Sequence, residues 1–199
     1  MNRYVVAITG ASGAALGLRV LEAIAARSEV HLIMSPESMG IMMEETGLDL
    51  SAPDPAGVLR KICQRVKGPS INYWDSRDMA APVSSGSFQT DGMIVAPCSM
   101  KTLSGIASGY AENLVQRAAD VTIKEGRTLV LAPREMPFSA IHLENMLKLS
   151  RIGVRIAPPV PAFYQGPKTL DEMIDFLAGK LLDALGVEHS LYKRWEGRA

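Results

Sequence analysis

Two short apolar runs constrain the fold more than any other feature of this sequence. The segments GMIVAP, residues 92–97, and TLVLAP, residues 128–133, contain no charged side chain, and each ends in proline. Unbroken apolar runs of this length are typical of strands that are buried on both faces of a parallel sheet. Between them the sequence predicts a crossover helix over residues 113–125, which Gly126 ends.

The same alternation of strands and helices runs along the whole chain. Further strands are predicted over residues 3–9, 29–34, 70–74 and 154–157, and helices over residues 14–26, 38–46, 58–66, 139–152 and 170–185. The segments 49–57 and 83–92 are predicted to be loops. This order indicates an α/β fold of the Rossmann-like (flavodoxin-like) class, a three-layer sandwich with a mostly parallel sheet. We expect one domain over residues 1–199, with a short C-terminal tail from about residue 187.

Composition argues against several classes of function. The 21 basic and 21 acidic residues cancel, and no basic stripe is present, so we expect no nucleic-acid partner. The only cysteines, Cys63 and Cys98, have no metal-ligand spacing and are typical of a reducing compartment. No apolar run approaches the roughly 20 residues that span a bilayer, and no signal-peptide pattern is found. These features predict a soluble, cytoplasmic protein with no membrane partner and no metal.

The first predicted strand runs directly into the glycine-containing segment ITGASGAALG. In open α/β sheets ligands bind beyond the carboxyl ends of the strands, so Gly10, Ala11 and Ser12 are candidates to hold a phosphate at the start of the next helix. The spacing of Gly10, Gly13 and Gly17 departs from the G-x-G-x-x-G pattern of dinucleotide-binding proteins, which argues against a dehydrogenase. The alternative is a tight turn that binds nothing.

Polar residues follow other predicted strands as well. Ser99, Lys101 and Thr102 come after residues 92–97, where hydroxyls and a cation suit a phosphate, although Ser99 alone is also typical of an ordinary helix N-cap. Arg134 and Glu135 directly follow residues 128–133. Because neighbouring strand ends share one edge of the sheet, we expect these loops to share one ligand.

Three further charged residues remain ambiguous from spacing alone. Arg117 and Lys124 lie seven residues apart on one helix with Asp120 between them, which indicates an exposed ion-pair ladder. Glu45 lies among methionines at a helix end. It is either a solvated terminus or an acid that exchanges protons with a substrate.

Taken together, several segments resemble the UbiX-like flavin prenyltransferases, a family long labelled as phenylacrylic or aromatic acid decarboxylases (UbiX/Pad). The resemblance runs from Tyr4 to about Trp195 and is carried by TGASGA, SSGSFQTDGMIVAPCSMKTLSGIASGY, RAADVTIKEGR, LVLAPREMPFSAIHLENMLKLSRIG and PPVPAFYQGPKTLD.

The resemblance implies a single flavin-binding α/β domain and a defined reaction. Members join the dimethylallyl group of dimethylallyl phosphate to N5 and C6 of reduced FMN, and the product, prenylated FMN, serves a UbiD-type decarboxylase. The reaction is metal-independent, and members form homo-oligomers, as a rule dodecamers with active sites at subunit interfaces. Two alternatives stay open: a non-catalytic FMN carrier and an FMN-dependent decarboxylase. The segment PCSMKT argues against the latter, because such decarboxylases carry a PASANT-like segment there.

The resemblance also implies roles for individual residues. Those that bind FMN are Gly10, Ala11, Ser12, Ser35, Ser99, Met100, Lys101, Thr102 and Arg134. Those that bind the prenyl phosphate, in part from a neighbouring subunit, are Tyr164, Lys180, Lys124 and Arg117. Those that take part in catalysis are Glu45, Lys124, Tyr164 and Glu135. Many members have arginine where this sequence has Lys180, and lysine lacks the bidentate fork of arginine.

Overall fold

A six-stranded parallel sheet forms the centre of the computed structural model, which describes residues 1–51, 54–68, 70–195 and 197. The strands lie in the order β3-β2-β1-β4-β5-β6, and every neighbouring pair is parallel. Their bounds are β1 Arg3–Ile8, β2 Glu29–Met34, β3 Ser70–Asp75, β4 Gly92–Cys98, β5 Thr128–Pro133 and β6 Arg155–Ile156. The predicted α/β class is confirmed.

Within the described residues, seven α-helices cover the two faces of the sheet. Their bounds are α1 Ala14–Ala25, α2 Pro36–Thr46, α3 Pro55–Arg65, α4 Met100–Ser108, α5 Leu114–Lys124, α6 Ala140–Arg151 and α7 Leu170–Leu185. Helices α1, α2, α3 and α7 share one apolar core, and α4, α5 and α6 share the other. None of the helices that the structure describes is long and apolar enough to cross a membrane.

The apolar strand runs are explained by burial on both sides of the sheet. In β1, Val6 and Ile8 belong to the core under α1, whereas Val5 and Ala7 belong to the core under α5. Successive side chains of a strand point to opposite faces, so a strand covered by helices on both faces favours apolar residues at every position.

Two helices begin earlier than the sequence predicted. Helix α2 starts at Pro36 instead of residue 38, and α3 starts at Pro55 inside the predicted loop 49–57, of which residues 52 and 53 lie outside the described part. In each case a polar residue precedes the proline: Ser35 Oγ accepts the Ser38 amide at 3.3 Å, and Asp54 Oδ1 accepts the Gly57 amide at 2.6 Å. A capping side chain followed by proline at the first helical position is a helix start.

Two glycines let α1 lie directly over the end of β4. Gly13 precedes α1 with φ of 113°, in the left-handed region that glycine favours. A Cβ at Gly17 would lie 2.5 Å from the carbonyl oxygen of Ala96, so no other residue fits there without displacement. The glycine spacing of this segment therefore serves the turn and the packing of α1.

Candidate functional site

A cleft of about 300 Å³ opens at the carboxyl ends of the strands, where the connections from β1 and β4 leave toward opposite faces of the sheet. Such a switch point is the ligand site of open parallel sheets. The residues that line it are Gly10, Ala11, Ser35, Glu37, Ser99, Met100, Lys101, Thr102, Asn113, Arg134 and Glu135. All the residues predicted to bind FMN except Ser12 are in this set, and so is Glu135.

The two central loops of the cleft are joined by the buried side chain of Thr9. Its hydroxyl donates to the Pro97 carbonyl at 2.9 Å and accepts the Ser99 amide at 2.8 Å. The Thr9 amide also donates to Pro97 at 3.2 Å. These bonds hold the loop after β1 against the loop after β4, and they fix where α4 begins.

Two helices begin at the cleft with a serine cap. Ser99 Oγ accepts the Thr102 amide at 3.3 Å at the start of α4, and Ser35 has the same role for α2. The N-cap interpretation of Ser99 is thus correct. The cap still leaves the first amides of α4, those of Met100 and Lys101, without an acceptor inside the helix, and the helix dipole favours an anion there.

Charges of both signs surround this helix start. Lys101 and Arg134 are exposed cations on the rim, and Lys101 Nζ lies 3.9 Å from Glu37 Oε1. Hydrogen bonds from its own amide and from Ser35, together with the nearby Lys101, hold the pKa of Glu37 below its usual range, and burial only partly opposes them. Glu37 is therefore ionised at neutral pH, and an anionic ligand would be placed nearer to Arg134 and the α4 amides.

Glu45 is not among the residues that line the cleft. Its carboxylate accepts the Gly13 amide at 3.0 Å and the Ala14 amide at 2.7 Å, at the start of α1. Because Gly13 has no side chain to cap α1, Glu45 provides the negative charge that this helix terminus favours. These two amides, at the helix start where the sequence suggested a phosphate, are therefore occupied by Glu45. Ser12 lies just before them and is exposed.

Arg117 and Lys124 lie on α5 and do not line the cleft. Arg117 donates to the Ser84 carbonyl at 3.0 Å and pairs with Asp120 at 2.6 Å, as the ion-pair interpretation predicted. Lys124 pairs with Glu125 instead of Asp120. Lys124 ends α5 just before β5 starts. It therefore lies near the amino ends of the strands, whereas the cleft lies at their carboxyl ends.

Lys180 lines a second cleft, and Tyr164 contacts Phe176, one of the other residues that line it. This cleft, of about 650 Å³, separates residues 155–162 from α7, and Lys180 lines it together with Phe176 and Asp183. Tyr164 is 67% exposed, on a 3-10 turn, Phe163–Gln165, and its ring contacts that of Phe176. A single chain therefore does not bring Glu45, Lys124 and Tyr164 together around one cleft.

Known relatives identify the family. Residues 1–182 match a protein family described as Flavoprotein. The flavin prenyltransferase UbiX of Methanocaldococcus jannaschii is 45% identical over 193 residues, which are 97% of this chain and 98% of that protein. The chain belongs to the UbiX-like flavin prenyltransferases. The prediction of a flavoprotein with this enzymatic activity is confirmed.

Two solved UbiX-like structures have the same fold over nearly their whole length. AnUbiX (PadA1), in complex with FMN and dimethylallyl pyrophosphate, is 43% identical with a TM-score of 0.86, and the match covers 100% of this chain and 99% of the other. A dodecameric FMN-dependent UbiX-like decarboxylase from Escherichia coli O157:H7 is 48% identical with a TM-score of 0.84, and the match covers 98% and 100%.

In this UbiX-like chain, sequence reasoning missed two residues that line the cleft, Glu37 and Asn113, and the buried Thr9 that joins its loops. Each had a local signal. Thr9 is the first residue after β1, Glu37 follows the Ser35-Pro36 helix start, and Asn113 caps α5 by accepting the Gln116 amide at 3.1 Å. Across residues 1–51, 54–68, 70–195 and 197, no three His, Cys, Asp or Glu side chains form a group able to hold a metal.

Proposed function

We propose that this chain transfers the dimethylallyl group of dimethylallyl phosphate to N5 and C6 of reduced FMN and releases prenylated FMN for a UbiD-type decarboxylase. The observation that carries the proposal is the cleft at the switch point between β1 and β4. Eight of the nine residues predicted for FMN line it, although they come from four separate segments of the chain. The FMN and dimethylallyl pyrophosphate bound by AnUbiX support the same pair of substrates here.

The chemistry of the cleft fits an FMN phosphate and its polar chain. We assign the phosphate to the start of α4, where the amides of Met100 and Lys101 provide donors. The Ser99 hydroxyl donates to Thr102 Oγ1 at 3.1 Å, so the hydroxyl proton that can reach the phosphate is that of Thr102. Arg134, on the next strand end, adds a cation on the rim. Reduced FMN supplies the nucleophilic ring atoms, and the residues of the cleft hold it in one orientation, which lowers the entropic part of the barrier.

The prenyl phosphate requires residues that one chain keeps apart. Lys124 lies ten residues, about 15 Å along the α5 axis, from the end of α5 that adjoins the cleft. Because this distance keeps Lys124 away from the cleft of its own chain, we propose a homo-oligomer in which Lys124 and Arg117 act on a neighbouring subunit's site. The dodecameric Escherichia coli relative supports a dodecamer. In that assembly the cations and the Tyr164 hydroxyl stabilise the phosphate as it leaves.

Glu45 is the proposed proton acceptor. Its carboxylate is held by the Gly13 and Ala14 amides, so its position relative to the loop after β1 is fixed before any substrate binds. Closing the new ring at C6 releases a proton, and a preplaced carboxylate is suited to take it. Glu135, on the rim of the cleft, is proposed to take part in this proton transfer.

The first experiment is an anaerobic incubation of the protein with reduced FMN and dimethylallyl phosphate, followed by mass spectrometry of the flavin. We expect a flavin that is heavier by one five-carbon prenyl unit. Glu45→Gln should abolish this product while FMN still binds, and Glu44→Gln, the neighbouring acid, is the matched control that should keep activity. Unmodified flavin from a wild-type protein that binds FMN would contradict the proposal and favour the FMN carrier.

A mixing experiment tests the shared site. Glu45→Gln and Lys124→Ala chains should each be inactive alone, but hybrid oligomers formed by refolding them together should regain part of the activity. Recovery is expected because some sites then receive Glu45 from one chain and Lys124 from another. If mixed chains stay inactive although native mass spectrometry detects hybrids, the two residues do not meet across subunits.

Several finer predictions accompany this proposal. Transfer should be unaffected by a metal chelator, and the product should activate a UbiD-type decarboxylase after transfer of the filtered flavin. We also predict a single domain over residues 1–199, a cytoplasmic location, and no membrane or nucleic-acid partner. An FMN-dependent decarboxylase would instead release carbon dioxide from a substrate acid without altering the mass of FMN.

A further inference from the structure

The C-terminal tail, residues 187–195, folds back onto α7 and is fastened at one side chain. Asp183 accepts hydrogen bonds from His189 Nε2 at 3.1 Å, from the Tyr192 hydroxyl and from Arg194 Nη2 at 2.7 Å. Burial alone would raise the pKa of Asp183, but these three donors hold it below its usual range. The carboxylate is therefore charged at neutral pH and binds three residues of the tail.

The surface of α7 is shaped to receive the tail. A Cβ at Gly179 would lie 2.5 Å from Tyr192 Cδ1 and 2.7 Å from His189 Cε1. These distances are shorter than any contact between carbon atoms, so a glycine is needed here for the tail to lie flat on the helix. Gly179 and Asp183 are four residues apart and thus share one face of α7.

The docked tail also contacts the turn that carries Tyr164. The Gln165 side chain donates to the Lys193 carbonyl at 3.3 Å. The ring of Tyr164 lies edge-on between two others, with centroids 6.3 Å from Trp195 and 6.1 Å from Phe176. Such edge-to-face pairs favour one ring orientation. Tyr164 is thus held between α7 and the tail, although it is mostly exposed.

We infer that Asp183 and the tail are positioning elements for Tyr164, and through it for the phosphate of the allylic substrate. The inference rests on the proposed function, because Tyr164 has that role only in prenyl transfer. Asp183 also lies 4.0 Å from Lys180, another of the four residues predicted to bind this phosphate, and both line the larger cleft. The Asp183 carboxylate therefore contacts both Lys180 and the tail, and the tail orients Tyr164.

The test compares three single variants of the full chain. Asp183→Asn removes the charge that fastens the tail, and Tyr192→Phe removes one of its bonds while keeping the ring. Asp175→Asn is the matched control. Asp175 is an acid of the same helix, but it pairs with Arg19 instead of the tail. Each variant is assayed for KM and kcat with dimethylallyl phosphate, for FMN affinity, and for hydrogen exchange of residues 163–195.

We expect Asp183→Asn to raise the KM for dimethylallyl phosphate roughly tenfold to 100-fold, because a small displacement of a positioning group is enough for such a loss. Tyr192→Phe should have a smaller effect in the same direction. FMN affinity should stay within about twofold of wild type, and exchange should increase in the tail and at residues 163–166. Asp175→Asn should leave KM unchanged.

Two results would overturn the inference. One is faster exchange of the tail in Asp183→Asn with an unchanged KM, which would mean that the tail does not position Tyr164. The other is an equal rise of KM in Asp175→Asn, which would indicate a general loss of stability. A wild-type protein that forms no prenylated flavin contradicts the proposed function instead. In that case the exchange data still report whether Asp183 fastens the tail.

Discussion

Replacing Thr9 with valine tests how the cofactor cleft is held together. Valine has nearly the same shape as threonine but lacks the hydroxyl that accepts the Ser99 amide at 2.8 Å. The Pro97 carbonyl keeps the Thr9 amide as a donor, so the unpaired group is the Ser99 N–H. A buried donor without a partner costs about 1–3 kcal/mol, and because Ser99 is only half-buried we expect about 1–2 kcal/mol.

This cost should appear in two measurements. For a chain of this size, about 1–2 kcal/mol lowers Tm by about 2–8 °C in differential scanning calorimetry. Fluorescence titration should give a Kd for FMN that is higher by up to about tenfold. A free-energy cost of about 1.4 kcal/mol for restoring the displaced loop corresponds to that factor. The control is Thr9→Ser, which keeps the hydroxyl and should retain FMN affinity. If Thr9→Val binds FMN as wild type does, or Thr9→Ser loses as much affinity, the proposed role of the hydroxyl is wrong.

Three further predictions concern stability and reactivity. Gly17→Ala should lower the free energy of unfolding in urea by about 1–3 kcal/mol through overpacking, whereas Gly40→Ala, with open space around it, should not. Burial lowers the pKa of His31, so the unfolded chain takes up that proton first as pH falls; Tm should decrease from pH 7 to pH 5, and less in His31→Gln. Burial raises the pKa of Cys98 to about 12, so a thiol reagent should modify only the exposed Cys63 until the protein is denatured.

Much of the cleft could be predicted because its parts are local signals. Ser99 and Arg134 each follow directly on a buried strand, and parallel strands bring their ends to one edge whatever the details of packing. The starts of α2 and α3 differ from the prediction because each helix begins at a proline that follows a capping residue, two or three residues before the predicted start. The resemblance to a family added the reaction, which no spacing in the sequence specifies.

The sequence by itself determined the parallel sheet, its two covered faces and the strand ends that form the cleft. These follow from periodicity and from helix caps, which act over a few residues. Only the tertiary structure decided that Glu45 reaches the start of α1, that Lys124 lies at the amino ends of the strands, and that the tail docks on Gly179. Such contacts depend on how whole helices pack against each other, and no local pattern specifies the resulting positions of side chains that are distant in sequence.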